Sequence, residues 1–190
     1  MQARSLLVFL LFLPVLGCAS NGVRSQAISP TGEHLEGSLS LQTMDGRTLD
    51  LDRSLAAGHS VALIFWQTWC SSCKTEMPEL NEAAHELEGQ VDFVGVIPGP
   101  DDRVDDGEVL AVAGSYALVY PQVRDRDLSL TRRFGVQGTP TIVVIGPDRS
   151  ILFDGHRSPD WKTLTPVSHG DETTHADGAD CQDGVCTIQR

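Results

Sequence analysis

Two cysteines, Cys70 and Cys73, stand three residues apart in Trp69-Cys70-Ser71-Ser72-Cys73, directly after the apolar run Ser60-Val61-Ala62-Leu63-Ile64-Phe65-Trp66. Positions i and i+3 of a helix share a face, so at a helix start the two sulfurs can close a disulfide. The first of the pair then lies beside backbone N–H groups that have no helical partner. Such groups favour a thiolate, and a helix start can bring a cysteine pKa from about 8.5 into the range of about 3.5 to 7.5. The spacing predicts a nucleophilic Cys70 and a resolving Cys73 one turn inward, which is the chemistry of thiol–disulfide exchange. Half of many zinc sites is also C-x-x-C, and an inert structural disulfide can use the same spacing. Zinc would need a second pair of ligands nearby, and an apolar strand leading into the first cysteine is not zinc-ribbon context, so no metal is expected at these residues.

The other cysteines are Cys18, Cys181 and Cys186. Residues 1–17 carry one positive charge at Arg4, an apolar run from Leu6 to Leu16 and a small residue, Gly17, before Cys18, the layout of a secretory signal. The run falls short of the roughly 20 apolar residues that span a bilayer, and Pro14 interrupts it. Val15-Leu16-Gly17-Cys18 resembles a bacterial lipobox, whose cysteine is acylated and becomes the first mature residue. Lipidation of Cys18 would account for the odd cysteine; plain secretion with an incidental Cys18 is the alternative. Residues 18–36 then read as a polar tether that holds the folded part near a membrane.

Residues 166–190 shift to His, Asp, Gly and Thr with few apolar residues, a tail without a core of its own. Cys181 and Cys186 flank Asp183-Gly184 and can turn back into a small second disulfide in an oxidising compartment. The same pair could exchange with Cys70 and Cys73 as a relay, or join His169 and His175 in an N2S2 set for zinc or copper. That last option defines the rival function, a metal-binding lipoprotein that works through its tail. His34, His59, His85 and His156 have no partner at ligand spacing and read as surface or satisfied residues.

The elements that must position this chemistry follow from pattern. Ser38 to Leu51 alternates apolar and polar residues around Asp45-Gly46, a hairpin signal. Ser60 to Trp66 reads as a central strand covered on both faces. Cys70 to about Leu87 has apolar residues at spacings of three and four, an amphipathic helix with Pro78 inside it and Gly89 ending it. Val91 to Ile97 is a strand, Pro98 to Glu108 an acidic loop, Val109 to Val119 a helix and Leu128 to Phe134 a short helix. Thr141–Ile145 and Ser150–Phe153 form strands around Gly146-Pro147-Asp148-Arg149. Ser158-Pro159-Asp160 caps a last helix that Pro166 stops. The 190 residues allow one domain with appendages, here 37–165, and an α/β sandwich with a mixed sheet. With 14 Lys+Arg against 26 Asp+Glu the net charge is −12, which repels phosphate backbones and excludes nucleic acid as a partner.

Phe65-Trp66-Gln67-Thr68-Trp69-Cys70-Ser71-Ser72-Cys73-Lys74-Thr75-Glu76-Met77-Pro78 resembles the F-W-x-x-W-C-x-x-C-x-x-E-x-P segment of thioredoxin-like proteins of the TlpA/ResA group, extracytoplasmic thiol-disulfide oxidoreductases. Phe134-Gly135-Val136-Gln137-Gly138-Thr139-Pro140-Thr141 is similar to the group's second motif. The likeness covers roughly Ser38 to Gly155 and implies a thioredoxin fold, a mixed β-sheet flanked by helices with an N-terminal β-hairpin. It also implies a cis Thr139-Pro140 bond facing the dithiol, with Thr139 offering its backbone to an extended substrate and Trp69 beside it. Glu76 coincides with the acid thought to assist thiol proton transfer, against the plainer reading of a solvated helix carboxylate. Thioredoxin keeps a buried Asp six residues before its first cysteine; here Ile64 stands there, leaving Glu76 as the obvious carboxylate. Thioredoxin-fold peroxidases resemble P-x-x-x-T-x-x-C, but Gln67 stands three before Cys70, and copper-delivery relatives use C-x-x-x-C. The expectation is a lipid-anchored reductase of protein disulfides in the bacterial envelope, facing the periplasm. It would need no cofactor and would be served by a membrane or periplasmic electron donor.

Overall fold

The apolar run beginning at Ser60 becomes the middle of a sheet, and the chain around it covers both faces. A computed structural model describes residues 34–164 and, for the backbone alone, 180–182 and 185–187. The expected signal segment 1–17, Cys18, the tether up to residue 33, His169 and His175 lie outside the described residues. In chain order the elements are β1 (Ser40–Gln42), β2 (Thr48–Asp50), α1 (Leu51–Ala56), β3 (Ser60–Phe65), α2 (Ser71–Glu86), β4 (Val91–Pro98) and α3 (Asp106–Ser115). There follow β5 (Gln122–Asp125), α4 (Ser129–Arg133), β6 (Thr141–Ile145), β7 (Ile151–Gly155), α5 (Trp161–Leu164), β8 (Asp180–Gln182) and β9 (Val185–Thr187). Five strands form one sheet in the order β5-β4-β3-β6-β7. β3 and β5 are parallel to β4, while β6 is antiparallel to both β3 and β7. The parallel pairs require crossovers, supplied by α2 and α3, whereas β6 and β7 need only a turn. This is the expected mixed sheet flanked by helices, opened by the antiparallel β1–β2 hairpin around Asp45-Gly46. No helix among the described residues is long and apolar enough to cross a membrane.

Strand side chains alternate between faces, and β3 spends both sets on cores. Val61, Leu63 and Phe65 join Leu39, Leu51, Leu55, Val94 and Ile145 on one face. Ala62 and Ile64 join Leu80, Ala83, Phe93 and Val144 on the other. A third cluster closes the end of the sheet where β3 and β4 finish, built from Trp66, Cys70, Cys73, Met77, Ile97, Val104 and Val109. The cysteines thus belong to a packed surface rather than to a loose loop.

Two local expectations are corrected, and one strand was not expected at all. The helix expected at Val109–Val119 runs over Asp106–Ser115, because Asp105 accepts from the Glu108 N–H at 2.8 Å and starts it earlier. Its end is set by Ala117, which has φ +49°. The hairpin reading overran at Leu51, where Asp50 caps α1 through the Arg53 N–H and Leu51 and Leu55 turn inward. Strand β5 has no apolar signature, yet all four of its residues are buried. Gln122 is bonded to Trp66 and Tyr120, Arg124 to the carbonyls of Gly99 and Val104, and Asp125 to the start of α4. Polar groups with specific partners replace hydrophobic ones there, Arg124 Nε alone of these side-chain atoms being left without one.

Asp52 fastens the N-terminal segment together with Arg133 and Arg149, which donate to carbonyls of residues 35–38. Asp52 accepts from Ser38 Oγ at 2.6 Å, from the Leu39 N–H at 2.9 Å and from Arg149 at 2.6 Å. The Ser38 hydrogen bond first, then Arg149 and the Leu39 N–H, hold its pKa down to about 2. A carboxylate lowered on folding stabilises the folded state above its unfolded pKa, near 4, and loses that contribution as pH falls toward 2. Urea titrations between pH 5 and pH 2 are expected to show a steeper loss of stability in the wild-type protein than in Asp52→Asn. Equal pH slopes would remove this role from Asp52.

Candidate active site

At the end of β3 the chain turns through residues 66–69 and enters α2, and hydrogen bonds from below hold that turn. The Trp66 N–H donates to the Val96 carbonyl at 3.0 Å, and its indole N–H to Gln122 Oε1 at 2.9 Å. The Gln67 side-chain amide donates to the Pro98 carbonyl, and the Cys70 N–H to the Gln67 carbonyl at 3.1 Å. Cys70 is the N-cap of α2, with extended backbone, and its Sγ accepts from the Cys73 N–H at 3.1 Å. The first cysteine of the pair therefore also starts the helix. Cys70 and Cys73 are joined in a disulfide, with Cα atoms 5.3 Å apart. Cys70 is 5% exposed and Cys73 2%, so attack from outside meets the first sulfur first. Ser72 Oγ lies 3.5 Å from Cys70 Sγ.

The opposite wall is the loop before β6. The Thr139–Pro140 bond is cis, and the Thr139 carbonyl oxygen is 3.5 Å from Cys70 Sγ. Thr141 Oγ1 donates to the Gly138 carbonyl at 2.8 Å, tightening this loop. Trp69, next to the nucleophile, is 74% exposed. Ile64, at the place of thioredoxin's Asp, is buried among apolar side chains. Glu76 is half-buried one turn beyond Cys73, and its Oε2 accepts from the Ser158 N–H at 3.0 Å. It is therefore neither freely solvated nor isolated, but holds the segment after β7 against α2.

Cys70, Cys73, Thr139 and Pro140 are thus brought together, with Trp69 at their rim. β8 and β9 pair antiparallel, with Cys181 and Cys186 directly opposite each other. Among the described residues no group of three or more His, Cys, Asp or Glu is arranged to hold a metal ion. Sequence reasoning missed His156, whose Nδ1 lies 2.8 Å from the Pro140 carbonyl oxygen. A signal for it existed in the hairpin register. A shift between Val144 and Ile145 pairs Ile142 with Gly155, which continues to set His156 opposite Thr141. Gln67 and Gln122 were likewise passed over, having no spacing pattern to mark them. A cleft of about 450 Å³ lies between the β1–β2 hairpin and β5 and contains neither cysteine.

The Redoxin family matches residues 26–166. The chain belongs to this family. Among curated Redoxin-like relatives, it is 28% identical over 117 residues to the thioredoxin-like protein YneN of Bacillus subtilis, covering 62% of this chain and 66% of that one. It is 30% identical over 113 residues to the thiol-disulfide oxidoreductase ResA of Bacillus subtilis, covering 59% of this chain and 60% of that one. The matched part thus spans under two thirds of either relative. A secreted Mycobacterium tuberculosis disulfide oxidoreductase, described as homologous to Escherichia coli DsbE, superimposes with a TM-score of 0.54 at 24% identity, over 66% of this chain and 91% of that one. The architecture is the thioredoxin fold, as the two motifs implied.

For this Redoxin member the cap geometry makes a direct statement about reactivity. In the reduced protein, iodoacetamide is expected to modify Cys70 before Cys73, with a rate that rises through a midpoint clearly below about 8.5. Mass spectrometry of labelled peptides against pH reads both. Equal labelling of the two cysteines with an unshifted midpoint would contradict the cap.

Proposed function

We propose that this protein is an extracytoplasmic thiol-disulfide oxidoreductase that reduces disulfides in other proteins. One observation carries the reading: Cys70 Sγ receives the Cys73 N–H and faces the Thr139 carbonyl of the loop before β6. The likeness to the thiol-disulfide oxidoreductase ResA supports it. In the reduced state the Cys70 thiolate, stabilised by that N–H and the start of α2, attacks one sulfur of a substrate disulfide. A Cys70–substrate disulfide forms and the other substrate sulfur leaves as a thiolate. Cys73 then gives up its proton and attacks Cys70, releasing the second substrate thiol and closing Cys70–Cys73. The substrate gains two electrons from the dithiol and one proton from Cys73, and the thiolate that leaves first takes its proton from water, balancing the one Cys70 had already lost, so no cofactor is required. Trp69 supplies an exposed apolar face to the partner, and the Thr139 backbone pairs with its extended segment, as in strand addition. Glu76 takes the Cys73 proton. Ser71 and Ser72 bring hydroxyls but no charge, which favours the reducing direction, with a membrane or periplasmic dithiol returning the electrons.

In this reading residues 1–17 are a signal peptide and Cys18 carries a lipid that holds the protein at the bacterial envelope. Residues 18–36 are the tether, 37–165 the catalytic domain and 166–190 a tail. Directly opposed residues of an antiparallel pair have Cα atoms about 4.5 to 5.5 Å apart, within the roughly 4.4 to 6.8 Å that disulfides span. That register supports a second disulfide between Cys181 and Cys186.

Cys70→Ser is expected to abolish reduction of a protein disulfide, because a hydroxyl is a poor nucleophile at neutral pH. Cys73→Ser should accumulate a mixed disulfide with the substrate, visible by mass spectrometry and released by dithiothreitol. Turnover by Cys70→Ser would overturn the mechanism. Glu76→Gln keeps an acceptor for the Ser158 N–H and removes the titrating group, so the thermal midpoint should hold while the pH profile of exchange changes shape. An unaltered profile would leave Glu76 with its bond to Ser158 and no part in proton transfer.

A further inference from the structure

The segment between β7 and α5 touches both halves of the site. His156 Nδ1 lies 2.8 Å from the Pro140 carbonyl oxygen and 3.3 Å from Thr141 Oγ1. A carbonyl oxygen can only accept, and the Thr141 hydroxyl already donates to Gly138, so Nδ1 carries the hydrogen and His156 is the donor. Two residues on, the Ser158 N–H reaches Glu76 on α2. The Ser158 hydroxyl accepts from the Trp161 indole at 3.0 Å, and the Trp161 ring packs on Phe93 at 4.8 Å. One short strap therefore joins the loop that faces Cys70 to the helix that begins at Cys70, and it is anchored at its far end.

The position of His156 within this strap has a chemical meaning. Proline has no N–H, so the carbonyl is the one backbone hydrogen-bonding group Pro140 possesses. His156 engages that group, one peptide unit from the Thr139 carbonyl that lies 3.5 Å from Cys70 Sγ. We propose that His156 is a positioning residue for the substrate. Its Nδ1–H fixes the Pro140 carbonyl and so aims the Thr139 backbone at the extended segment whose disulfide Cys70 attacks. The inference rests on the thiol–disulfide reading above. Its chemistry requires a donor at the place of Nδ1, not an imidazole as such, and Asn places a side-chain N–H there while Phe keeps a ring without one.

The test uses the full, pre-reduced protein in single turnover against an oxidised cyclic peptide with an extended arm beside its disulfide. Acid quenching and chromatography of the two peptide forms follow the reaction. Wild-type rates should saturate with peptide. In His156→Ala and His156→Phe the half-saturating concentration should rise about fivefold, the effect of one lost hydrogen bond, with the limiting rate within about twofold. His156→Asn should return most of the affinity. If His156→Ala does not fold, the comparison of His156→Phe with His156→Asn carries the same information. Unchanged half-saturation in His156→Phe, or equal losses in His156→Phe and His156→Asn, would overturn the assignment. A wild-type protein whose Cys70 alkylates normally but leaves the peptide oxidised would instead overturn the thiol–disulfide reading, and this inference with it.

Discussion

The hydrogen bond from the Cys73 N–H to Cys70 Sγ is the constraint around which the site is built. It exists only if α2 starts at the residue after the nucleophile, and that start must lie where β3 ends. Backbone N–H groups of a first helical turn have no carbonyl within the helix, so a sulfur at the cap position supplies an acceptor and receives stabilisation of its anion in return. Moving the cap by one residue would rotate both sulfurs by about 100° and separate Cys70 from the Thr139 carbonyl. Structural and chemical roles therefore coincide in one side chain.

Holding the cap in place falls to groups beneath it. Trp66 is buried and its indole is bonded to Gln122, which in turn donates to the Tyr120 carbonyl. Gln122 can lie flat under β4 because residue 95 is glycine: a Cβ there would come within 2.0 Å of Gln122 Oε1. The turn that carries Trp69 and Cys70 is thus supported across three strands, from β3 over β4 to β5. Burying these polar groups is tolerable because each major donor finds an oxygen, where an unpaired one would cost roughly 1 to 3 kcal/mol.

Legibility in the sequence followed this division. Strand β3 and helix α2 announced themselves, because burial of apolar side chains dominates both: a strand covered on both faces leaves a continuous apolar run, and a helix covered on one leaves a spacing of three and four. The C-x-x-C pair was readable because its spacing is set by the helix it starts. Strand β5 was not readable, since Gln122, Arg124 and Asp125 are buried through specific partners that no periodicity encodes. Helix α1 was hidden by its length: Leu51 and Leu55 make a single pair at i and i+4, too little to break the alternation that precedes them. His156 was read as a surface or satisfied residue with no partner at ligand spacing, because its partners stand at the start of the other strand of a hairpin whose register shifts between Val144 and Ile145. The cis loop became legible only through its likeness to the second motif of a known group.

The acidic stretch after β4 belongs to the wall beside the cysteines, since its Val104 packs in the same cluster as Cys70 and Cys73. Two arginines from the β5 side fasten that stretch. Arg124, with a side chain 1% exposed, pairs with Asp106 and holds the carbonyls of Gly99 and Val104, while Arg126 pairs with Asp101 at 2.7 Å and with Asp106 at 2.8 Å. Asp105 is turned to the start of α3 as its cap. The loop is thereby fastened at its base, and three of its acidic groups are committed to cations or to a helix terminus. Arg124 also holds the Val104 carbonyl, so one buried side chain pairs with an aspartate and fixes the residue that packs on the cysteines. Strand β5, the element least visible in the sequence, is in this sense the one that holds the wall beside the disulfide.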